Sequence, residues 1–176
     1  MPFTPPDHGF PIIVATHMRS RTHLTIDLLR RQFPAVGGWK LPGEANDCVY
    51  LALDVLSGME ANWGIRRGRR ILRRSRYPVC KVHWTEPNLS DLARTHPELA
   101  SWLRNRGRFI YVVRNPKKVM ASMLAWEISA NGGAEVPDDI ESWTAQRLKY
   151  WASHVKSWTS RHGILVLRFE DIVRKP

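Results

Sequence analysis

The stretch from Pro11 to Pro34, PIIVATHMRSRTHLTIDLLRRQFP, decides the fold of this chain. Its first part, Ile12–Ala15, is a short apolar and mostly β-branched run, which is typical of a strand buried on both faces of a parallel sheet. From Leu24 to Phe33 the apolar residues fall on one face of a helix, which Pro34 ends. The pattern predicts a strand that turns directly into a helix.

A polar loop, Thr16–His23, joins this strand to this helix. A helix that follows such a loop directs its free backbone N–H groups and the positive end of its dipole toward whatever lies above it. With the hydroxyls of Ser20 and Thr22 and the guanidinium of Arg19, these groups would hold an anion, most readily a phosphate. The loop has no glycine, so it is not a Walker A loop. An ordinary strand–helix connection with solvated arginines is the alternative at this point.

Length and composition favour one domain over residues 1–176. Of the 176 residues, 43% are hydrophobic and 24% charged, which is ordinary for a folded protein with a hydrophobic core. No apolar run reaches the length of a membrane span, and the N-terminal residues have no signal-peptide pattern. The two cysteines, Cys48 and Cys80, have neither a metal-site spacing nor a disulfide framework. We therefore expect a cytoplasmic protein without a bound metal.

Most of the formal charge of +11 comes from one short segment without acidic residues. Its arginines are Arg66, Arg67, Arg69, Arg70, Arg73, Arg74 and Arg76. Such a cluster could bind nucleic acid, an acidic polymer or an anionic membrane surface. We favour a solvated helical face beside an anion site, because the segment lacks the aromatic residues that single-strand binders place among their cations. Nucleic acid is therefore not the expected partner.

The rest of the chain alternates strands with helices. Further strands are predicted at Tyr77–Trp84, Phe109–Val113 and Ile164–Phe169. Further helices are predicted at Glu44–Ser57, Leu89–Thr95, Pro97–Arg106, Lys117–Ala130, Ile140–Ser160 and from Glu170 onward, with a loop over Thr85–Asn88. This alternation predicts right-handed βαβ units and an α/β fold, with a central parallel sheet flanked by helices on both faces.

Loops that follow parallel strands gather at the carboxyl edge of the sheet, where such folds bind ligands. Here those loops are Arg19–Thr22, Lys81–Thr85, Arg114–Lys118 and Phe169–Asp171. Three of the four carry cations. The pattern therefore indicates a polyanionic ligand.

The segment Phe109–Trp126, FIYVVRNPKKVMASMLAW, resembles a signature of the sulfotransferases that use 3′-phosphoadenosine-5′-phosphosulfate (PAPS). The signature reads Y-V-V-R-N-P-K-D-V-x-x-S, and Lys118 here replaces its acidic residue. In that family the arginine and the serine bind the 3′-phosphate of PAPS, so the resemblance implies this role for Arg114 and Ser122. The chemistry agrees, because a guanidinium offers a planar fork for phosphate. The alternative is that Asn115 simply starts a helix.

The loop Thr16–His23 is similar to the first signature of the same family, a P-[KR]-S-G-T-T-W-L loop that binds the 5′-phosphate. This similarity implies that the contacts to PAPS include Arg19, Ser20, Arg21, Thr22 and His23. Arg21 stands in place of the glycine, which lets a backbone approach a phosphate closely. Leu24 replaces the tryptophan.

Lys81-Val82-His83 resembles the K-T-H segment of the family, whose histidine is the general base. His83 would take the proton from an acceptor hydroxyl or amine, a task that suits an imidazole. Lys81 and Arg19 would stabilise the negative charge on the leaving oxygen. These three residues are the candidate catalytic groups.

The C-terminal third continues the resemblance. Trp151–Trp158 is similar to the family helix W-x-x-H-V-x-x-W, and Leu165–Asp171 to the strand end L-x-L-x-Y-E-D, which would place Phe169 near the adenine. Family members continue to a basic loop, R-K-G-x-x-G-D-W-K, that does not occur before Pro176. We therefore expect a truncated domain that lacks the C-terminal cofactor-binding loop.

The resemblance implies a three-layer P-loop-like fold and metal-free transfer of a sulfuryl group from PAPS to a small-molecule, lipid or carbohydrate acceptor. Candidates for an apolar acceptor pocket are Trp39, Trp63, Trp84 and Trp126. A P-loop-like nucleotide or small-molecule kinase is one alternative, although the chain lacks a Walker lysine and an obvious magnesium carboxylate. A non-catalytic anion- or nucleic-acid-binding module that uses the arginines at 66–76 is another. The sequence is also compatible with a homodimer.

Overall fold

A computed structural model describes residues 9–36, 50–56, 71, 75–130 and 139–174. Several sequence-predicted features lie outside the described residues: the arginines from Arg66 to Arg74, Trp39, Trp63 and half of the predicted helix Glu44–Ser57. Arg76 is described, and its guanidinium lies 5.6 Å from the centre of the Tyr77 ring.

A parallel sheet of five strands forms the centre of the described fold. The strands are β1 (Ile12–Thr16), β2 (Leu51–Ala52), β3 (Val79–Val82), β4 (Arg108–Val113) and β5 (Ile164–Arg168). Their order across the sheet is β2-β3-β1-β4-β5, and every neighbouring pair is parallel. The register places Ala15 of the central strand β1 beside Val82 and Tyr111. The loops after β1, β3 and β4 therefore begin side by side.

The helices follow the strands closely. They are α1 (Thr22–Gln32), α2 (Glu86–Thr95), α3 (Pro97–Arg106), α4 (Pro116–Ala130), α5 (Ile140–Thr159) and α6 (Phe169–Arg174), with 3-10 turns at Pro34–Val36 and Leu53–Val55. The predicted loop over Thr85–Asn88 is wrong, because α2 already begins at Glu86 and accommodates Pro87 in its first turn. No described helix is long and apolar enough to cross a membrane.

The sheet separates two hydrophobic cores, as the alternation of side chains along a strand requires. Ile13 and Ala15 of β1 belong to one core, which also contains Leu92, Leu99, Leu103 and Trp158 from α2, α3 and α5. Val14 belongs to the other core, with Ile26 of α1 and, partly buried, Ile172 of α6. Helices thus cover both faces, and the predicted three-layer α/β architecture is confirmed.

The predicted helix over Glu44–Ser57 is wrong in its described part. Leu51 and Ala52 pair with β3 as an edge strand, and a 3-10 turn follows. Consecutive residues face opposite cores, because Tyr50 packs in the core of α1 and Leu51 in the core of α2 and α3. This alternation is that of a strand, and pairing with β3 outweighs the helical spacing of the apolar residues.

Candidate active site

One pocket of about 410 Å³ lies at the carboxyl ends of β1 and β3, against helix α4. It brings together most of the sequence-predicted site residues: Arg19, Arg21, Thr22, His23, Lys81, His83 and Ser122. The remaining lining residues are Met18, Leu24, Met123, Trp126 and Glu127. The pocket therefore joins a cationic side to an apolar side.

The cradle, residues Thr16–Thr22, connects β1 to α1. The hydroxyls of Thr16 and Thr22 are hydrogen-bonded to each other and buried, which ties the strand end to the first residue of the helix. Arg21 precedes α1 as its N-cap and makes no side-chain capping bond. The first-turn N–H groups of α1 thus lack the capping acceptor that a Ser or Asp would supply.

Two residues of the cradle have a left-handed backbone. The φ angles are 63° at Arg19 and 67° at Arg21, a region that costs an L-residue about 1–2 kcal/mol. The signature that this loop resembles has its glycine at the position of Arg21, and glycine adopts a left-handed backbone without penalty. Arg21 itself lines the pocket and adds a cation to it.

Ser20 lies between these two arginines and is fully buried. Its backbone N–H donates to the carbonyl of His17 at 3.1 Å, whereas its hydroxyl has no hydrogen-bond partner in the described structure. A buried hydroxyl without a partner is unfavourable and is usually explained by a missing ligand or water. Ser20 does not line the pocket itself.

Arg114 supports the cradle from the end of β4. Its Nη1 donates to the carbonyl of Arg19 at 2.7 Å, and its guanidinium lies 5.2 Å from the centre of the Phe169 ring. Burial and the nearby Arg21 lower the pKa of Arg114, and its Nε is buried without a partner among the described residues. Across the pocket, Arg19 Nε donates to Ser122 Oγ at 3.3 Å. The two predicted phosphate signatures are thus in direct contact.

The base segment, residues Lys81–Trp84, carries His83. Its Nδ1 lies 2.8 Å from the carbonyl oxygen of Thr16, and a carbonyl can only accept. The hydrogen is therefore on Nδ1, and Nε2 keeps its lone pair. Burial lowers the pKa of His83 to about 4, with Lys81 contributing in the same direction, so the ring is neutral near pH 7. A neutral imidazole in this tautomer can accept a proton at Nε2.

Lys81 lies on the same wall of the pocket as His83. Its Nζ is 5.4 Å from the centre of the Tyr50 ring, and the Tyr50 hydroxyl is hydrogen-bonded to Nε2 of His23 at 3.0 Å. Tyr50, just before β2, therefore contacts both Lys81 of β3 and His23 of α1.

Sequence reasoning missed Asp54 and Thr16. The Asp54 carboxylate accepts the backbone N–H of His83 at 2.9 Å, and burial raises the pKa of its carboxyl group. The helical spacing over Glu44–Ser57 predicts a helix at Asp54, whereas reading LALD as a short strand followed by a carboxylate indicates a polar group at a strand end. Thr16 meets Nδ1 of His83 through its backbone carbonyl at 2.8 Å and also through its hydroxyl at 3.2 Å, and the shorter contact to the carbonyl has no signal in the side-chain pattern.

Of the candidate pocket tryptophans, the structure describes two, and only one of these two lines the pocket. Trp126 lines the pocket and is 54% exposed. Trp84 instead packs against the core of α2 and α3, and its carbonyl accepts the indole N–H of Trp158 at 2.8 Å. Among the described residues there is no group of three or more histidine, cysteine or carboxylate side chains that could hold a metal ion.

Comparison with known proteins decides the family. A family model described as the sulfotransferase domain matches residues 53–176. The chain belongs to this family. The matched region contains the base segment, Arg114, Ser122 and Phe169 but begins after the cradle.

One solved structure with similarity to the chain is retinol dehydratase in a complex with retinol and PAP. The two are 19% identical, with a TM-score of 0.47, and the alignment covers 97% of this chain and 57% of that one. This chain therefore spans less than two thirds of the length of retinol dehydratase. No curated protein sequence matches the chain.

Proposed function

We propose that this domain transfers the sulfuryl group of PAPS to a hydroxyl or amine of an acceptor. The observation that carries the proposal is the state of His83, whose ring is neutral and keeps its lone pair on Nε2. The same pocket also contains Lys81, Arg19 and Ser122. A base and a set of anion-binding groups in one pocket are what sulfuryl transfer requires.

The cradle would hold the 5′-phosphate of PAPS through Arg19, Ser20, Arg21 and Thr22 and through the N–H groups of α1. The unpartnered hydroxyl of Ser20 supports this assignment, because a phosphate oxygen would give it an acceptor. His23, at the start of α1, lines the pocket and would also contribute, with its Nε2 hydrogen-bonded to the Tyr50 hydroxyl.

The 3′-phosphate would bind Arg114 and Ser122. Arg114 is already oriented by the carbonyl of Arg19, and its Nε is buried without a partner, which supports an anionic ligand at this point. Phe169 lies beneath the guanidinium and would contact the adenine. No metal is part of the proposal, since the cations and the helix N-terminus supply the positive charge.

The reaction would proceed by in-line attack. As the acceptor oxygen forms its bond to sulfur, its proton passes to Nε2 of His83. The bond between sulfur and the bridging phosphate oxygen breaks, and its electron pair stays on that oxygen, which gives the sulfated acceptor and adenosine 3′,5′-bisphosphate (PAP). Lys81 and Arg19 would stabilise the charge on the leaving oxygen.

The apolar side of the pocket favours a small-molecule or lipid alcohol as the acceptor. Met18 is 47% and Leu24 38% exposed, and they line the pocket together with Met123 and Trp126. A phenol or aliphatic alcohol could cover these side chains, whereas a carbohydrate would leave them poorly matched. The proposal further includes one sulfotransferase domain over residues 1–176 and a cytoplasmic location.

The test is transfer of radiolabelled sulfuryl from PAPS to a phenol, a long-chain alcohol and a monosaccharide. We expect transfer to at least one apolar alcohol and a loss of about 10²- to 10⁴-fold in His83→Ala, the contribution typical of a general base. His96→Ala is the matched control, because His96 also bonds a backbone carbonyl, that of Leu56 at 3.2 Å, but does not line the pocket. Undiminished transfer in His83→Ala would contradict the assignment of the base.

A further inference from the structure

Helix α5 holds the chain where β3 ends. Nε2 of His154 lies 3.0 Å from the carbonyl oxygen of His83, and the indole N–H of Trp158 donates to the next carbonyl, that of Trp84, at 2.8 Å. Just beyond the helix, Arg161 Nη1 binds the carboxylate of Glu86 at 2.6 Å. The helix therefore contacts consecutive backbone groups of the base segment and the start of α2.

The hydrogen bonds of His154 fix its tautomer. The carbonyl of His83 can only accept, so Nε2 of His154 carries the hydrogen. Nδ1 then has the lone pair and accepts the hydroxyl of Tyr111 at 3.0 Å. Both His154 and Tyr111 are fully buried. Each polar atom of the imidazole has one partner, and the arrangement permits no second assignment.

These contacts complete the fixation of His83. Its backbone N–H is held by Asp54, its ring Nδ1 by the carbonyl of Thr16 and its own carbonyl by His154. Without His154 the carbonyl of His83 would lose its partner, and the following peptide could rotate. The ring would then leave Thr16, and Nε2 would no longer have a fixed place in the pocket.

We infer that His154 is a positioning residue for His83, acting from a second helix through the backbone carbonyl and supported in turn by Tyr111. The effect of His154 on catalysis rests on the proposed function. Its effect on the orientation and tautomer of His83 is structural and is independent of that function. A histidine that merely filled the core would contribute to stability without affecting the ring of His83.

The first readout is the protonation of the ring nitrogens of His83, measured by ¹H–¹⁵N spectra of protein labelled at histidine. In the wild type we expect the hydrogen on Nδ1. In His154→Leu we expect a mixture of the two tautomers, and in His154→Gln, whose amide can donate at the position of Nε2, recovery of the wild-type state. His96→Leu is the control, because it also removes a histidine–carbonyl bond and should leave His83 unchanged.

The second readout is kinetic. His154→Leu should lower kcat about 10- to 100-fold, since a displacement of about 1 Å at a catalytic group can cost that much, while PAP binding stays within twofold. His154→Gln should recover most of kcat. Tyr111→Phe, which removes only the hydroxyl, should have a kcat between those of His154→Leu and His154→Gln. It replaces His154→Leu as the test variant if the leucine variant does not fold.

A wild-type tautomer together with wild-type kcat in His154→Leu, or in Tyr111→Phe if the leucine variant is unfolded, would overturn the inference. If the wild-type protein transfers no sulfuryl group to any acceptor, the proposed function fails. The ring-nitrogen spectra would still decide whether His154 positions His83.

Discussion

The cradle and the base segment lie on the same sheet edge, but they differ in whether their buried polar groups have hydrogen-bond partners. In the base segment the N–H, carbonyl and Nδ1 of His83 each have a partner. In the cradle the hydroxyl of Ser20 is buried without one, and Arg19 and Arg21 have left-handed backbones. His83, the proposed base, is therefore already oriented by the protein, whereas the cradle has a buried hydroxyl that a ligand or a water molecule could satisfy.

The difference agrees with the functions that we propose for the two regions. A general base must be held in place, because its distance and angle to the acceptor determine the rate. A phosphate site must instead leave donors unpaired, because donors already bonded to the protein would have to be released first. We expect substitutions in the two regions to have different signatures: the base segment should affect stability and turnover, and the cradle chiefly ligand binding.

The largest expected effect is that of acid on the base segment. Burial lowers the pKa of both His83 and His154 to about 4, whereas the unfolded chain binds these protons near the ordinary value of 6.5. The free energy of unfolding should therefore be highest above pH 6.5 and fall by a few kcal/mol as the pH decreases toward about 4. Urea unfolding across this range measures it.

The variant His154→Gln removes one of these two groups, so its stability should depend less on pH than that of the wild type. Identical pH dependence in the two proteins would mean that the buried imidazole of His154 is not the group that acid protonates.

The next effect concerns Arg114. Arg114→Ala should weaken PAP binding about 10- to 100-fold, which corresponds to the 1.5–3 kcal/mol of a hydrogen bond to a charged group. Binding of 5′-AMP, which lacks the 3′-phosphate, should change little. Calorimetry with both nucleotides measures this, and Arg94→Ala is the control because its guanidinium pairs with Asp91 on the surface of α2. Equal losses for both nucleotides would refute the assignment of Arg114.

Ser20→Ala should separate stability from binding. It removes a buried hydroxyl without a partner, so the ligand-free protein should be unchanged or more stable by up to about 1 kcal/mol, while its affinity for PAP should fall. Ser157→Ala is the matched control: this hydroxyl donates to the carbonyl of His154 at 2.9 Å, and its loss should destabilise the protein by about 1 kcal/mol. If both variants are destabilised equally, the hydroxyl of Ser20 has a partner.

The smallest effect should be that of Arg21→Gly. Glycine adopts a left-handed φ without penalty but loses more backbone entropy on folding, so we expect a net gain in stability below about 1 kcal/mol. Arg104→Gly, within the right-handed helix α3, should lose about that amount. Thermal unfolding compares the two, and a loss in both would show that the backbone at Arg21 is not strained.

The α/β class was predictable because most strands are apolar, β-branched runs, and such a run favours an extended conformation through its own residues. β1 and β4 have nearly the predicted bounds for this reason. β2 was missed because it has two residues, and its pairing with β3 rather than its composition determines its conformation. A strand of two residues is too short to show the alternation of side chains by which strands are predicted.

The site was predictable in its residue types and much less in its arrangement. The signatures indicated His83 and Arg114, since those side chains occupy fixed places after strands. The tautomer of His83 depends on the carbonyl of Thr16, which is 67 residues away in the chain. The backbone N–H and carbonyl of His83 are held by Asp54 and His154. Such contacts arise only when the strands are brought together in the sheet, so the sequence alone does not show them.

The most direct test of the central proposal, that the cradle and Arg114 bind the two phosphates of one nucleotide, is the melting temperature with PAP and with 5′-AMP. The account predicts a concentration-dependent rise with PAP that 5′-AMP does not reproduce, because only PAP engages the cradle and Arg114 together. No rise with PAP at millimolar concentration, or an equal rise with both nucleotides, would contradict it.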